Sequence, residues 1–385
     1  MGRFWPILGG LIDTLDMLLL SLRPSLVPSA SFLRIVFYVG GAMAHGSALY
    51  IRETELTDLT EGTLRTVGTP TSTAAVVARV LVDAELRGHP SHGVAMLPIY
   101  LERARRGGID AQACPTWTSV SGSVGLVRGN GAFGQLAAEL AASRCASAAA
   151  EQGLAAVGVR DNNHIGMLAA YRKCFTDSGV IGLILNVSGP SVSAPGAHYA
   201  TLGNDAMCLI VPRSDGKPFI IDFAAGTVAC GKIRSAALRG EKVPSTWLLD
   251  AIGQPSTNPE DLDNGGSVPV FGGYKGLGVL LIIEILAGVL AGATASPLVN
   301  RQRHQVELPM GCSQLFVGFD SQLFGATDTT GLIDVIANAV HEGYAGTPPH
   351  PYLPEQYELT HAEVAREQGV AVPHVLAAEL GWVSA

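Results

Sequence analysis

The chain has 385 residues, which at roughly 150 residues per domain suggests two domains. Hydrophobic residues make up 48% and charged residues 15%, enough apolar surface for a large core and too little charge for a disordered chain. The net charge of −8 provides no basic face that could grip a phosphate backbone, so nucleic acid is not an expected partner. Cys114, Cys145, Cys174, Cys208, Cys230 and Cys312 are widely spaced and form no C-x-x-C pair. A metal site or a disulfide framework is therefore not expected, and reduced thiols point to a cytoplasmic enzyme.

Residues 1–50 differ from the rest. The apolar run Trp5 to Leu22 carries Asp13 and Asp16, and the run Phe32 to Ala44 is short for a bilayer. They read as an extension outside the functional region, with Met43 a candidate start and a membrane anchor the minor alternative. Glu53 to Leu86 has helical periodicity, with Thr57 a candidate cap. A further helix, about Ala95 to Arg106, stops at Gly107-Gly108. From Val120 strands and helices alternate: strand Val124–Arg128, alanine-rich helix Gln135–Glu151, strand Leu154–Arg160, helix Met167–Ser178, strand Val180–Val187 and strand Lys217–Phe223. That rhythm is α/β. Leu277 to Ala293 is apolar at helix length but contains Glu284, which predicts a buried core helix. From Thr330 the chain is mostly helical.

Gly129-Asn130-Gly131-Ala132-Phe133-Gly134 matches G-x-G-x-x-G between a strand and a helix, with Asp161 as the acidic residue downstream. A dinucleotide-binding turn and an unliganded glycine-rich turn fit this pattern equally.

Five segments in order carry more information. They are Leu86-Arg87-Gly88-His89-Pro90-Ser91-His92-Gly93-Val94, Asp161-Asn162-Asn163-His164-Ile165-Gly166, and Ala194-Pro195-Gly196 leading to Leu202-Gly203-Asn204. Then come Ile221-Asp222-Phe223-Ala224-Ala225-Gly226 leading to Gly231-Lys232, and Gly272-Gly273-Tyr274-Lys275-Gly276-Leu277-Gly278. Together they resemble the malate/L-lactate dehydrogenase family that is unrelated to the Rossmann-type enzymes, over roughly residues 51 to 385. The resemblance implies an oxidoreductase that interconverts 2-oxo and 2-hydroxy acids with NAD or NADP. It also implies a family-specific cofactor fold that is not Rossmann, and a homodimer with its site near the subunit boundary. That weakens the dinucleotide reading of the glycine-rich turn. The implied layout is an α/β cofactor domain over 123–299 and a largely helical substrate and dimer domain from 51–122 plus 300–385. Cyclic ketimine reduction, ureidoglycolate-type oxidation and a non-catalytic cofactor-binding scaffold are the alternatives.

An imidazole titrates near neutrality, so histidine suits a proton transfer coupled to hydride transfer. The resemblance puts the catalytic histidine at His92, with Ser91 beside it, and a second proton-handling or substrate group at His164. Ser188 matches a substrate-binding position. Asp222, with Phe223 and Ala224, matches a position near the nicotinamide, where Asp222 would orient His92 or bond the cofactor. Lys275 and Gly276 would meet a cofactor phosphate. Pro354-Glu355-Gln356 resembles a late cofactor turn, although Glu355 stands where a glycine is usual. Two departures stand out. Many members carry a carboxylate-clamping arginine where this chain has Met96, as in the hydroxycarboxylate dehydrogenase branch, which reduces bulkier 2-oxo acids such as hydroxyphenylpyruvate. Met96 would then line the substrate pocket or simply pack in the core, leaving His89, Arg103 and backbone amides near Ser188 as candidate clamps. The family's Gly-Thr-Asn-Pro is altered to Gly203-Asn204-Asp205-Ala206.

Overall fold

A computed structural model of the chain describes residues 48–343 and 353–384; the extension expected at the N-terminus lies, up to residue 47, outside the described residues. The chain divides into a main body, 47–336 with 352–385, and a small second unit, 1–46 with 337–351. Of the second unit the described residues are 337–343.

The main body is built on a seven-stranded sheet. Its strands are β1 (Thr116–Ser119), β2 (Val124–Arg128), β3 (Leu154–Asn162), β4 (Ile181–Val187), β5 (Ala206–Val211), β6 (Phe219–Ala224) and β7 (Cys312–Phe319). Their spatial order is β1-β2-β3-β7-β4-β5-β6. Only β2 and β3 run parallel; every other neighbouring pair is antiparallel. A Rossmann sheet is mostly parallel and wound on both faces, so the fold is α/β without being Rossmann.

Strand β7 holds the centre, and its first five residues are all buried. Dividing the chain at residue 300 would assign it to the helical part; the sheet takes it back. It was hidden from pattern reading because polar Ser313 and Gln314 interrupt its apolar run. Gln314 is satisfied by its neighbours: its Oε1 accepts from Asn162 Nδ2 at 2.9 Å and its Nε2 donates to Asn186 Oδ1 at 2.9 Å. This amide ladder crosses the three central strands, as a buried polar group requires.

The helix Gly134–Gln152 connects β2 to β3 and packs on the sheet through Ala137, Ala138, Ala141, Ala142, Cys145, Ala146 and Ala149, all buried. Small side chains at helical spacing let its axis approach closely. A second core gathers the helices Glu53–Arg65, Thr71–Leu86 and Leu97–Arg106. Strand Ala48–Ile51 pairs antiparallel with Val370–Pro373, which brings the C-terminal segment into this core.

Several elements depart from expectation. The first helix starts at Glu53, with Glu53 and Glu55 favourably placed against the helix dipole. Thr57 therefore lies inside it and bonds back to the Glu53 carbonyl at 2.8 Å, so it is no cap. The segment after His164 is a short 3-10 turn, Leu168–Tyr171, followed by the helix Arg172–Asp177. The apolar stretch after Gly273 forms the helix Tyr274–Ile283 and then a wider π-helical turn, Glu284–Val289. It is no fully buried core helix. Ile282, Ile285 and Val289 are 57%, 56% and 66% exposed, so one apolar face is bare.

Candidate functional site

The helix Thr71–Leu86 ends at Arg87 and the chain turns at Gly88, whose φ is +78°. His89 precedes a 3-10 turn, Pro90–His92, and a second one, Val94–Met96, leads into Leu97–Arg106. Buried Glu85 fixes this double turn: its Oε1 accepts from the Val94 N–H at 2.8 Å. A Cβ on Gly93 would stand 2.2 Å from that oxygen, which is the reason for the glycine in Ser91-His92-Gly93. Burial raises the Glu85 carboxyl to about 7.

His92 projects from this turn and meets His164 from beyond the end of β3. The two rings are nearly parallel, 17° apart in plane, with centroids at 5.9 Å. Ser91 Oγ lies 3.2 Å from His92 Nδ1. His164 Nδ1 receives the Gly166 N–H at 3.3 Å and lies 2.7 Å from Tyr100 Oη, which in turn accepts from Gln135 Nε2 at 2.9 Å. A backbone N–H can only donate, so Nδ1 holds a lone pair, and a neutral His164 carries its proton on Nε2. Crowding by protein lowers both imidazoles, His92 to about 4 and His164 to about 3, and the charges of His89 on His92 and of His92 on His164 add to this. Both rings are neutral at pH 7, although each retains some exposed surface.

The glycine-rich turn lies behind His164. A Cβ on Gly134 would come within 2.4 Å of the carbonyl oxygens of Asn163 and His164, and one on Gly129 within 2.7 Å of the Asp161 carbonyl. Asn163 Nδ2 donates to the carbonyls of Gly131 and Ala132 at 3.1 and 2.8 Å. Gly129 and Gly134 thus admit the protein's own backbone. Asp161, the acidic residue of that reading, sits opposite Arg128 at 3.3 Å on the surface.

Asp222, near the end of β6, accepts the Ala169 N–H at 2.9 Å and so anchors the segment that follows His164. Crowding raises its carboxyl to about 6; the Ala169 bond and the charges of His89 and Arg87 oppose the rise. No described bond joins it to His92. Phe223 stacks edge-on against Phe271 with centroids at 5.9 Å, and Ala224 pairs with Ala206 in the sheet. Ser188 gives its N–H and its hydroxyl to Asp205 Oδ1, at 2.8 and 3.2 Å. The altered turn is fully bonded: Asn204 Oδ1 accepts the Gly226 N–H at 2.7 Å, and Ser296 Oγ donates to Asp205. Burial and the Glu284 carboxylate hold the Asp205 carboxyl well above its usual range.

Met96 is 5% exposed and belongs to the helical core. Arg103 is fully buried and gives its hydrogen bonds to the carbonyls of Gly108, Gln302, Gln305 and Leu308 and to Asn163 Oδ1. It braces a loop from inside the protein, and of its donors only the buried Nε–H lacks a partner. Glu355 explains its own oddity. Its φ is +75°, the left-handed conformation that favours glycine, and its carboxylate forms a buried ion pair with Arg87. Its neighbours Pro354 and Gln356 stay at the surface end of that turn, where Gln356 Oε1 accepts from the Leu353 N–H. Glu358 on the following helix lies 3.2 Å from His89.

The helix Tyr274–Ile283 opens after Gly272 and Gly273, with φ of +58° and +63°. A Cβ on Gly273 would meet nothing within 4 Å, and Lys275 is exposed beside this uncapped end. Open backbone amides at a helix start with a lysine at hand fit a phosphate. Gly276 is buried, and a Cβ there would sit 1.8 Å from the Phe271 carbonyl, so only glycine fits. No described bond links Lys275 or Ser188 to the imidazoles.

A sequence profile described as malate/L-lactate dehydrogenase matches residues 51–381. The chain belongs to the malate/L-lactate dehydrogenase family. Malate dehydrogenase of Pyrococcus abyssi is 33% identical over 260 residues, 65% of this chain and 72% of that one. Hydroxycarboxylate dehydrogenase B of Escherichia coli K12 is 28% identical over 314 residues, 80% and 86% of the two chains. Delta(1)-pyrroline-2-carboxylate reductase of Ancylobacter novellus is 31% identical over 328 residues, 84% and 94%. Among solved structures, a dehydrogenase from Sinorhizobium meliloti superposes with a TM-score of 0.77 at 29% identity, covering 88% of this chain and 99% of that one. The family consists of oxidoreductases acting on small molecules. No helix among the described residues is long and apolar enough to cross a membrane, and no group of three or more metal-ligating side chains is found among them.

Tyr100 is the site residue that sequence reasoning missed. The available signal was a tyrosine on the buried face of a helix, whose hydroxyl must find a partner.

Proposed function

We propose that the protein is an NAD- or NADP-dependent 2-hydroxy acid dehydrogenase, equally a 2-oxo acid reductase, in which His92 and His164 divide the proton chemistry. The observation that carries this reading is the stacked imidazole pair with one tautomer fixed. His164 Nδ1 is occupied, so its Nε2–H is a donor for the substrate's C2 oxygen. His92, with Nδ1 next to Ser91 Oγ, keeps a lone pair on Nε2 when Nδ1–H donates to that hydroxyl. In the oxidative direction His92 Nε2 takes the hydroxyl proton while His164 holds the same oxygen; in reduction the proton returns from His92. When bound, the nicotinamide accepts the hydride from C2 or delivers it there. Lys275 and the amides after Gly273 would hold a cofactor phosphate, and Asp222 positions the segment that carries His164. Ser188 and Ser91 are the proposed substrate hydroxyls.

The bare face formed by Leu281, Ile282, Ile285 and Val289 supports the homodimer, because a monomer rarely exposes such a contiguous apolar surface. Six free cysteines support a cytoplasmic location. Purified protein mixed with NADH or NADPH and pyruvate, oxaloacetate, phenylpyruvate and pyrroline-2-carboxylate tests the reading. Turnover of a 2-oxo acid is the expected result. Turnover of the cyclic imine alone moves the reaction to C=N reduction, which the relative from Ancylobacter novellus favours. No turnover with cofactor bound leaves a scaffold.

A further inference from the structure

We propose that Arg303 grips the substrate's carboxylate, in place of the arginine that position 96 lacks. This rests on the 2-hydroxy acid reading above. A 2-oxo or 2-hydroxy acid carries its carboxylate one bond from the reacting carbon, so a cation is needed close to the imidazole pair. The described cations whose charge reaches His92 or His164 are His89, Arg103 and Arg303. His89 faces Glu358, and Arg103 is fully buried among carbonyls. Arg303 is exposed and makes no hydrogen bond or ion pair with any described residue.

Its position is built. The carbonyl of Arg301 accepts the N–H groups of His304 and Gln305 at 3.1 and 3.0 Å, closing a turn around Arg303. Arg103 pins that turn through Gln302 and Gln305, at 3.0 and 3.2 Å. The loop beyond is tied to the residue before His164, because Asn163 Oδ1 accepts the Met310 N–H at 3.0 Å. Gln302, the residue before Arg303, consequently stands with Tyr100, Arg103 and His164 around one narrow pocket.

On the other side stands the helix Cys230–Leu238, so close that a Cβ on Gly231 would lie 2.5 Å from Ser91 Cβ. Arg234 on that helix is engaged by Asp263, through Nε at 3.2 Å and Nη2 at 2.8 Å. Partial burial and the Arg234 charge push Arg303 below its ordinary value, and the Asp263 carboxylate, itself engaged by Arg234, opposes the shift. An unpaired guanidinium held beside another is a place where a bound anion relieves repulsion.

Arg303→Gln tests the assignment, and the absence of partners means the fold should survive it. The expected result is a KM for the 2-oxo acid raised roughly ten- to hundredfold, the loss of one charged hydrogen-bond pair, with a smaller change in kcat. Cofactor affinity measured by fluorescence titration stays the same, and the KM for the corresponding 2-oxo amide does not move. Added ethylguanidinium restores part of the loss in Arg303→Ala. An unchanged KM for the acid, or an equal loss toward acid and amide, overturns the assignment while leaving the dehydrogenase reading intact. A wild-type protein that reduces no 2-oxo acid overturns both.

Discussion

The turn Gly129–Gly134 and the turn His89–Met96 each join regular elements through glycine and stand on either side of His164. In the first, the carbonyls of Asn163 and His164 crowd Gly134, and that of Asp161 crowds Gly129. In the second, Glu85 takes the space at Gly93, and the turn pushes His92 out against His164. A glycine marks a close approach, and what approaches decides the function. In the first turn it is the protein's own chain, against Gly129 and Gly134. In the second it is a supporting carboxyl, which leaves the imidazole free.

Three substitutions sharpen that contrast. The largest effect is expected from His92→Ala: turnover falls by about 10²–10⁴, the usual worth of a positioned acid or base, while cofactor titration and circular dichroism stay unchanged. Retained turnover would remove His92 from the chemistry. Next is Glu85→Gln. Folded Glu85 keeps its proton up to about pH 7, whereas the unfolded chain releases it near the ordinary glutamate value of 4.5. The wild type therefore loses stability as pH rises from about 4.5 to about 7 and levels off above, a fall on the order of 3 kcal/mol. The glutamine variant, which still accepts the Val94 N–H, lacks that fall in chemical denaturation, so parallel curves would show that Glu85 does not hold its proton. The smallest functional effect is expected from Gly134→Ala. Its methyl meets two carbonyls, at a cost of about 1–3 kcal/mol in stability, and cofactor affinity is unaltered. Weakened cofactor binding at full stability would revive the dinucleotide reading of that turn.

Much of the fold is legible in the sequence because it is local. The strand–helix–strand unit from Val124 to Asn162 shows its periods directly, and the motif order places His92, His164 and Asp222 on segments that do come together or brace one another. The rest depends on partners distant in the chain. Strand β7 reads as a poor strand until Asn162 and Asn186 satisfy Gln314. Met96 looks like a pocket residue until the helical core closes over it. Glu355 departs from the family's glycine, and only Arg87, far away in sequence, accounts for it. Tyr100 carries only the weak mark of a tyrosine on a buried helix face, and its significance comes from its hydrogen bond to His164; Arg303 carries no local mark at all.

The central claim is that His92 works as a neutral base, and the pH profile of kcat/KM for 2-hydroxy acid oxidation tests it most directly, with rapid pH jumps protecting the fold. The account predicts a plateau through neutrality and an acidic limb near pH 4, where His92 takes up its proton. A limb centred near the ordinary histidine value of 6.5, lost in the His92→Asn variant, would contradict it.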